Sequence, residues 1–286
     1  MFNREMMAVT LSLSCSMLCH ADTDPVDIVG IGGSTLHFSH FNEKFGGWSH
    51  VEYKSPTHRF LLYAPPDGTV DSGIGVVAGS DNSMVSPDKK NVLIQRTAIG
   101  YVEDPQGNRI ISEQTHCDVI SLESGCAKNL GSAIQCDGEW VGDAWKDSTG
   151  HLFDFSTSGS SPQEVRNQAS KLSSAKPRAL SLSDTLFMGG PSYMACYPVD
   201  ADIAAYNDLG FYFAEGGEQH LWAMQIYEKL LDLAPGRIPL QLNVADSLWA
   251  LGQHDDAKSH YAIYRDAMLT KAPANRIPDR VQLRLK

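Results

Sequence analysis

The feature that most constrains this chain is a helical hairpin pattern that recurs near its C-terminal end at an offset of 34 residues. Ala223 aligns with Ala257 and Tyr227 with Tyr261 at that offset, while Gly217 aligns with Gly252 one residue further on. From Asp202 onward the apolar residues recur with helical period. The spacing predicts helices over 203–215, 221–233, 240–251 and 256–269, with Gly216-Gly217, Pro235 and Gly252 as stops. Such a unit cannot bury its apolar face alone, so neighbouring hairpins must stack.

The rest of the chain obeys a different period. From about residue 27 to 155, short apolar runs alternate with turn sequences. Arg59–Tyr63 ends at Pro65-Pro66-Asp67-Gly68, and Gly75–Ala78 is a further run. Asn91–Gln95 follows the turn Ser86-Pro87-Asp88. Ile99–Glu103 and Arg109–Glu113 flank the hairpin turn Asp104–Asn108, and Asp118–Leu122 comes after them. Trp140, Trp145 and His151–Phe155 complete the series. The pattern predicts an antiparallel β-rich domain, a compact sheet, sandwich or partial-propeller shape, and the fold class is α+β. Between the two regions, Ser161-Pro162-Gln163-Glu164 has the form of a capping box with proline at the first helical position. A helix is expected to about Ser173, and Lys176–Ser183 is expected as loop. The resulting division is a signal peptide at 1–21, a β-rich domain at 22–155, a connector with one helix at 156–201, and two repeats plus a capping helix at 202–286.

Residues 1–21 read as a secretory signal: Arg4 precedes the apolar run Met6–Leu18, and Cys19-His20-Ala21 offers a cleavage site after Ala21. That run is too short to span a membrane. The expected location is the periplasm or the exterior. Cys117, Cys126, Cys136 and Cys196 would remain, an even set that reads as two disulfides with three connectivities open. The pairing expected is Cys117–Cys126 and Cys136–Cys196. No C-x2-C pair suggests zinc.

The hairpin residues resemble the tetratricopeptide repeat family. The first unit carries Tyr206, Leu209, Gly210, Phe213, Gly217, Ala223, Tyr227, Leu230 and Pro235; the second carries Val244, Ala245, Leu248, Gly252, Ala257 and Tyr261. Small residues let the paired helices approach, and the larger ones fill the gaps. The second unit departs from the pattern at Gln241, where a large residue is expected, and at Leu269, where proline would fall. The resemblance implies a concave face that binds protein segments, comprising Asn207, Phe211, Ala214, Leu242, Asp246, Trp249 and Ala250. The basic residues of the carboxylate-clamp subtype are missing from these positions. Met188–Pro198 and Tyr206–Gly210 further resemble exported bacterial repeat proteins encoded beside toxins of contact-dependent secretion systems, which would imply an immunity protein.

Chemistry-bearing motifs are sparse. Gly30-Ile31-Gly32-Gly33-Ser34 lacks the Lys-Ser/Thr of a phosphate loop and reads as a turn. His37 and His40 read as a surface pair, and Asp67, Asp71, Asp81 and Asp88 lack the spacing of a calcium loop. No G-x-S-x-G or H-E-x-x-H occurs. No catalytic residue, metal or cofactor is expected. The formal net charge of -11 argues against nucleic acid as partner. Two function classes fit. One is an exported protein-binding module that inhibits a secreted toxin. The other is a periplasmic enzyme or small-ligand carrier, with its site in the β-rich domain and the repeats as a docking arm. The lack of catalytic motifs favours the first.

Overall fold

The computed structural model describes residues 25–44, 46–63, 76–77, 84–155, 159–217, 219–271 and 276–286. Residues 1–21, expected from sequence to be a signal peptide, the turn 65–68, and Asp67, Asp71 and Asp81 lie outside the described residues. The fold is α+β: antiparallel sheets fill the N-terminal half, and eight helices among the described residues fill the C-terminal half.

Eight strands form the main sheet: β1 (Val26–Val29), β2 (Thr35–Asn42), β3 (Gly47–Lys54), β4 (Arg59–Tyr63), β5 (Val76–Val77), β6 (Asn91–Glu103), β7 (Arg109–Ser121) and β8 (Ala127–Ser132). The order is β1-β2-β3-β5-β6-β7-β8, with β4 also paired to β3. Gly30–Ser34 makes the β1–β2 turn, where Gly32 and Gly33 take positive φ. The expected hairpin turn at 104–108 is present: Glu103 pairs with Arg109, and Asp104 Oδ1 accepts from the Gln106 and Asn108 amides. The runs read as separate strands on either side fuse into two 13-residue strands, because the polar residues between them keep the ladder unbroken.

Alternation decides which face each residue joins. Leu36, Phe38, Val51, Tyr53, Val92, Ile94 and Ile120 pack on one face, with Met188 from the helical half among them. On that face Arg96 Nε donates to Asp118 Oδ2 at 2.7 Å, Asn129 Nδ2 donates to Asp118 Oδ1 at 2.7 Å, and the Arg96 guanidinium lies over the Phe187 ring. Leu93 and Cys117 form the opposite core with Cys136 and Trp145. A three-stranded sheet carries Trp145: β9 (Gly138–Val141), β10 (Ala144–Asp147) and β11 (Leu152–Phe153).

The disulfides are Cys117–Cys136 and Cys126–Cys196, a correction to the pairing expected from sequence. The β7–β8 register explains it. Ala127 pairs with Ile120, so Cys126 lies level with Ser121, four residues along the strand from Cys117. That is about 13 Å at a strand's rise, beyond the ~7 Å Cα separation a disulfide tolerates. Two disulfides are compatible with an oxidising compartment. No helix among the described residues is long and apolar enough to cross a membrane.

The connector holds three helices, not one: α1 (Pro162–Ala169), α2 (Ala175–Thr185) and α3 (Gly190–Cys196). The capping box forms as expected, with Ser161 accepting from the Glu164 amide and Glu164 accepting from the Ser161 amide. Residues 176–183, expected as loop, are helical. Pro177 sits in the first turn, where no amide partner is needed. Ala179 and Leu182 are buried, and Arg178 Nε bonds Glu215, further along the chain. Then come α4 (Ile203–Glu215), α5 (His220–Leu233), α6 (Ile238–Ala250), α7 (His254–Leu269) and α8 (Asp279–Arg284). Their core includes Tyr206, Phe213, Ala223, Tyr227, Leu248, Ala257 and Tyr261. Gln241 is buried too. Its Nε2 donates to Pro235 O at 2.6 Å and its Oε1 lies 2.6 Å from His260 Nδ1, so both ends of the amide are satisfied.

Candidate functional site

The β7–β8 turn and α3 are locked together. Ser192 Oγ donates to Gly125 O at 2.9 Å and accepts from the Ala127 amide at 3.0 Å, beside the Cys126–Cys196 disulfide. Tyr53 and Phe60 pack under this turn with ring centroids 5.2 Å apart. Gly125 needs both its positive φ and its lack of a side chain. A Cβ there would lie 2.6 Å from Phe60 Cζ and 2.9 Å from Tyr53 Cγ.

A cleft of about 1080 Å³ opens in front of this junction. One wall is β3–β4 with its connecting turn Ser55–His58; the other is α3, Pro198–Asp200 and the exposed side of α5. Its floor is apolar, made by Tyr53, Phe60, Pro191, Met194 and Val199, and the exposed Leu233 also lines it. Burial pushes the Tyr53 phenol up, so it stays neutral. The rim is acidic: Glu123, Asp200, Glu228 and Asp232 line it, with Lys229 and Arg59 as the cations. Arg59 is already bonded to Glu52 and holds that carboxyl below its ordinary range. His58 is the imidazole among the lining residues. Its Nδ1 meets Thr57 Oγ1 at 2.8 Å, and among the described residues no carboxylate bonds it. Among the described residues, the lining of the cleft brings together no imidazole with an orienting carboxylate.

The helical face expected to bind a partner has a different fate. Asn207 is buried, with its Oδ1 3.4 Å from Asn243 Nδ2. Leu242 packs against the core. Asp246 accepts from Tyr261 OH at 2.6 Å, Arg280 Nη2 at 2.8 Å and Arg284 Nη1 at 2.9 Å. Trp249 stacks on His254 with centroids 4.3 Å apart, and the Arg284 guanidinium lies 5.0 Å from its centroid. The chain's own α8 therefore engages Asp246 and Trp249. Burial and the bond to Asp246 push the Tyr261 phenol up to about 12. Phe211 and Ala250 stay exposed, and Ala214 is half-buried.

Sequence reasoning missed the cleft because its walls come from segments more than 130 residues apart. Pro191, Met194 and Ala195 of the 188–198 segment line the α3 wall. Among the described residues no group of three metal-ligating side chains occurs. No protein-family model matches the chain, and no curated protein matches its sequence.

Proposed function

We propose that this chain is an exported protein-binding module. In this reading the cleft between β3–β4 and α3/α5 receives an extended segment of the partner. Apolar partner side chains seat on Tyr53, Phe60 and Met194, and lysine or arginine side chains meet Glu228 and Asp232. The observation that carries it is an apolar-floored, acid-rimmed cleft held between two halves by Cys126–Cys196. Buried apolar anchors supply affinity, and a rim of one sign supplies orientation and association rate.

The α4–α5 and α6–α7 pairs are, in the same reading, two tetratricopeptide-like hairpins. Burial of Ala223, Ala257, Tyr227 and Tyr261 supports this, because these are the residues related by the 34-residue offset. With α8 engaged on Asp246 and Trp249, the helices act chiefly as scaffold for the α5 wall. The two disulfides support export. A secreted toxin is the partner class suggested by the sequence resemblance.

The test uses the chain from Asp22 onward as bait in a periplasmic extract. Recovery of a discrete protein, lost in Glu228→Lys/Asp232→Lys and kept in Trp249→Ala, is the expected result. The opposite pattern would move the interface to the helical face. A small molecule seen by native mass spectrometry, with no protein recovered, would replace the reading with that of a ligand carrier.

A further inference from the structure

The β2–β3 hairpin carries a pair of histidines that alternation alone would keep apart. Ser39 pairs with His50 and Phe41 with Trp48, so in a regular ladder His40 and His50 would lie on opposite faces. His40 instead has φ 59°, a left-handed backbone uncommon for a residue with a side chain. Its ring lies against that of His50, with centroids 4.1 Å apart and planes tilted by 42°. Backbone of this kind persists only where its surroundings hold it, and it concentrates at functional sites.

Two serines hold the rings. Ser49, itself buried, donates its hydroxyl proton to His40 O at 3.1 Å. Its oxygen then accepts from His50 Nδ1 at 3.1 Å. The network therefore assigns the His50 proton to Nδ1 and leaves the Nε2 lone pair bare. Ser39 Oγ sits 3.2 Å from His40 Nδ1. No protein atom among the described residues bonds either Nε2. A histidine that ligates a metal shows this arrangement, with one ring nitrogen tied to a second partner and the other facing out. His37, which with His40 reads from sequence as a surface pair, has its Nδ1 2.7 Å from Asp27 Oδ1.

We propose that His40 and His50 form a two-imidazole site for a first-row divalent transition metal, with copper(II) the preferred ion and water completing its coordination. Imidazole suits copper, nickel and zinc, and a given nitrogen site binds copper(II) most tightly of the series. His40 is exposed and His50 half-buried, so the ion can enter from solvent. The site uses two protein ligands from adjacent strands, so binding clips β2 to β3.

Copper(II) and zinc(II) are titrated into the untagged full chain by calorimetry, and the copper form is examined by electron paramagnetic resonance. The expected result is one ion per chain, two equatorial imidazole nitrogens, and tighter binding of copper than of zinc. His40→Asn keeps a residue that tolerates the left-handed backbone and removes the imidazole. It and His50→Gln should each weaken copper binding by at least about tenfold and leave one nitrogen signal or none. His37→Gln should bind as the unaltered chain does, and circular dichroism checks that each variant folds. Unchanged affinity in both His40→Asn and His50→Gln, or a single nitrogen in the unaltered chain, would overturn the proposal.

Discussion

Replacing Gly210 by alanine sets local propensity against tertiary packing. Gly210 lies inside α4, where alanine would favour the helix by about 1 kcal/mol. On propensity alone the substitution should stabilise. The structure reverses the sign. A Cβ at position 210 would stand 2.3 Å from Tyr227 Cε1, 2.8 Å from Cζ and 3.0 Å from Cδ1. Tyr227 is fully buried on α5, so its ring has no open space to enter. Overpacking a core of this kind costs about 1–3 kcal/mol, and contacts this short place the cost at the upper end. The net destabilisation is then about 2 kcal/mol, or a drop in Tm of roughly 4–8 °C for a chain of this size. Urea unfolding followed by far-ultraviolet circular dichroism measures it. Gly236→Ala is the control: a Cβ there meets nothing within 4 Å and its φ is not positive, so it should be neutral or slightly stabilising. Tyr227→Leu should cost less stability in the Gly210→Ala background than alone, because the two residues share the clash. A Gly210→Ala chain as stable as the original would refute the close-approach account of the α4–α5 pair.

Replacing both Cys126 and Cys196 by serine frees a loop spanning 70 residues, against 19 for Cys117–Cys136. Loop-closure entropy puts the losses near ~4.4 and ~3.2 kcal/mol, so denaturation should rank the longer link first; equal midpoints for the two variants would contradict this. His50, His220 and His260 are held below the ordinary histidine value of 6.5, chiefly by burial. The unfolded chain then binds protons that the folded chain refuses, so stability should be full above pH 6.5 and fall as the pH drops below it. Urea midpoints from pH 7.5 to 5 in the presence of a chelator test this, and His260→Gln should flatten the slope. Asp246→Asn should loosen α8 by weakening its bonds to Arg280 and Arg284. Faster tryptic cleavage after those arginines, with helix content retained, is the expected reading; an unchanged rate would mean that Ile277 and Val281 hold α8 unaided.

Local signals carried much of the fold. The capping box at Ser161, the Asp104–Asn108 turn and the helical period from Asp202 were legible because each is a short-range preference written in neighbouring residues. Gly210 was legible as a small position and Tyr227 as a large one, while the packed structure set the Tyr227 ring against Gly210. Gln241 broke the repeat pattern on paper. Only the packed structure supplied Pro235 O and His260 as its partners. Helix α2 was hidden because its polar face and proline outweigh its apolar residues until Ala179 and Leu182 find a surface to bury against.

By itself, then, the sequence determined an α+β chain with four cysteines beyond residue 21. Tertiary structure alone decided which cysteines pair, since strand register sets the distance from Cys117 to Cys126. It alone brought His40 onto His50, through one left-handed residue that no periodicity announces. It alone assembled the cleft, because β3–β4 and α5 are neighbours in space and remote along the chain. The physical reason is common to all three: each depends on contacts between distant residues, whose formation must offset the entropy of closing long loops, and only the whole packed molecule does so.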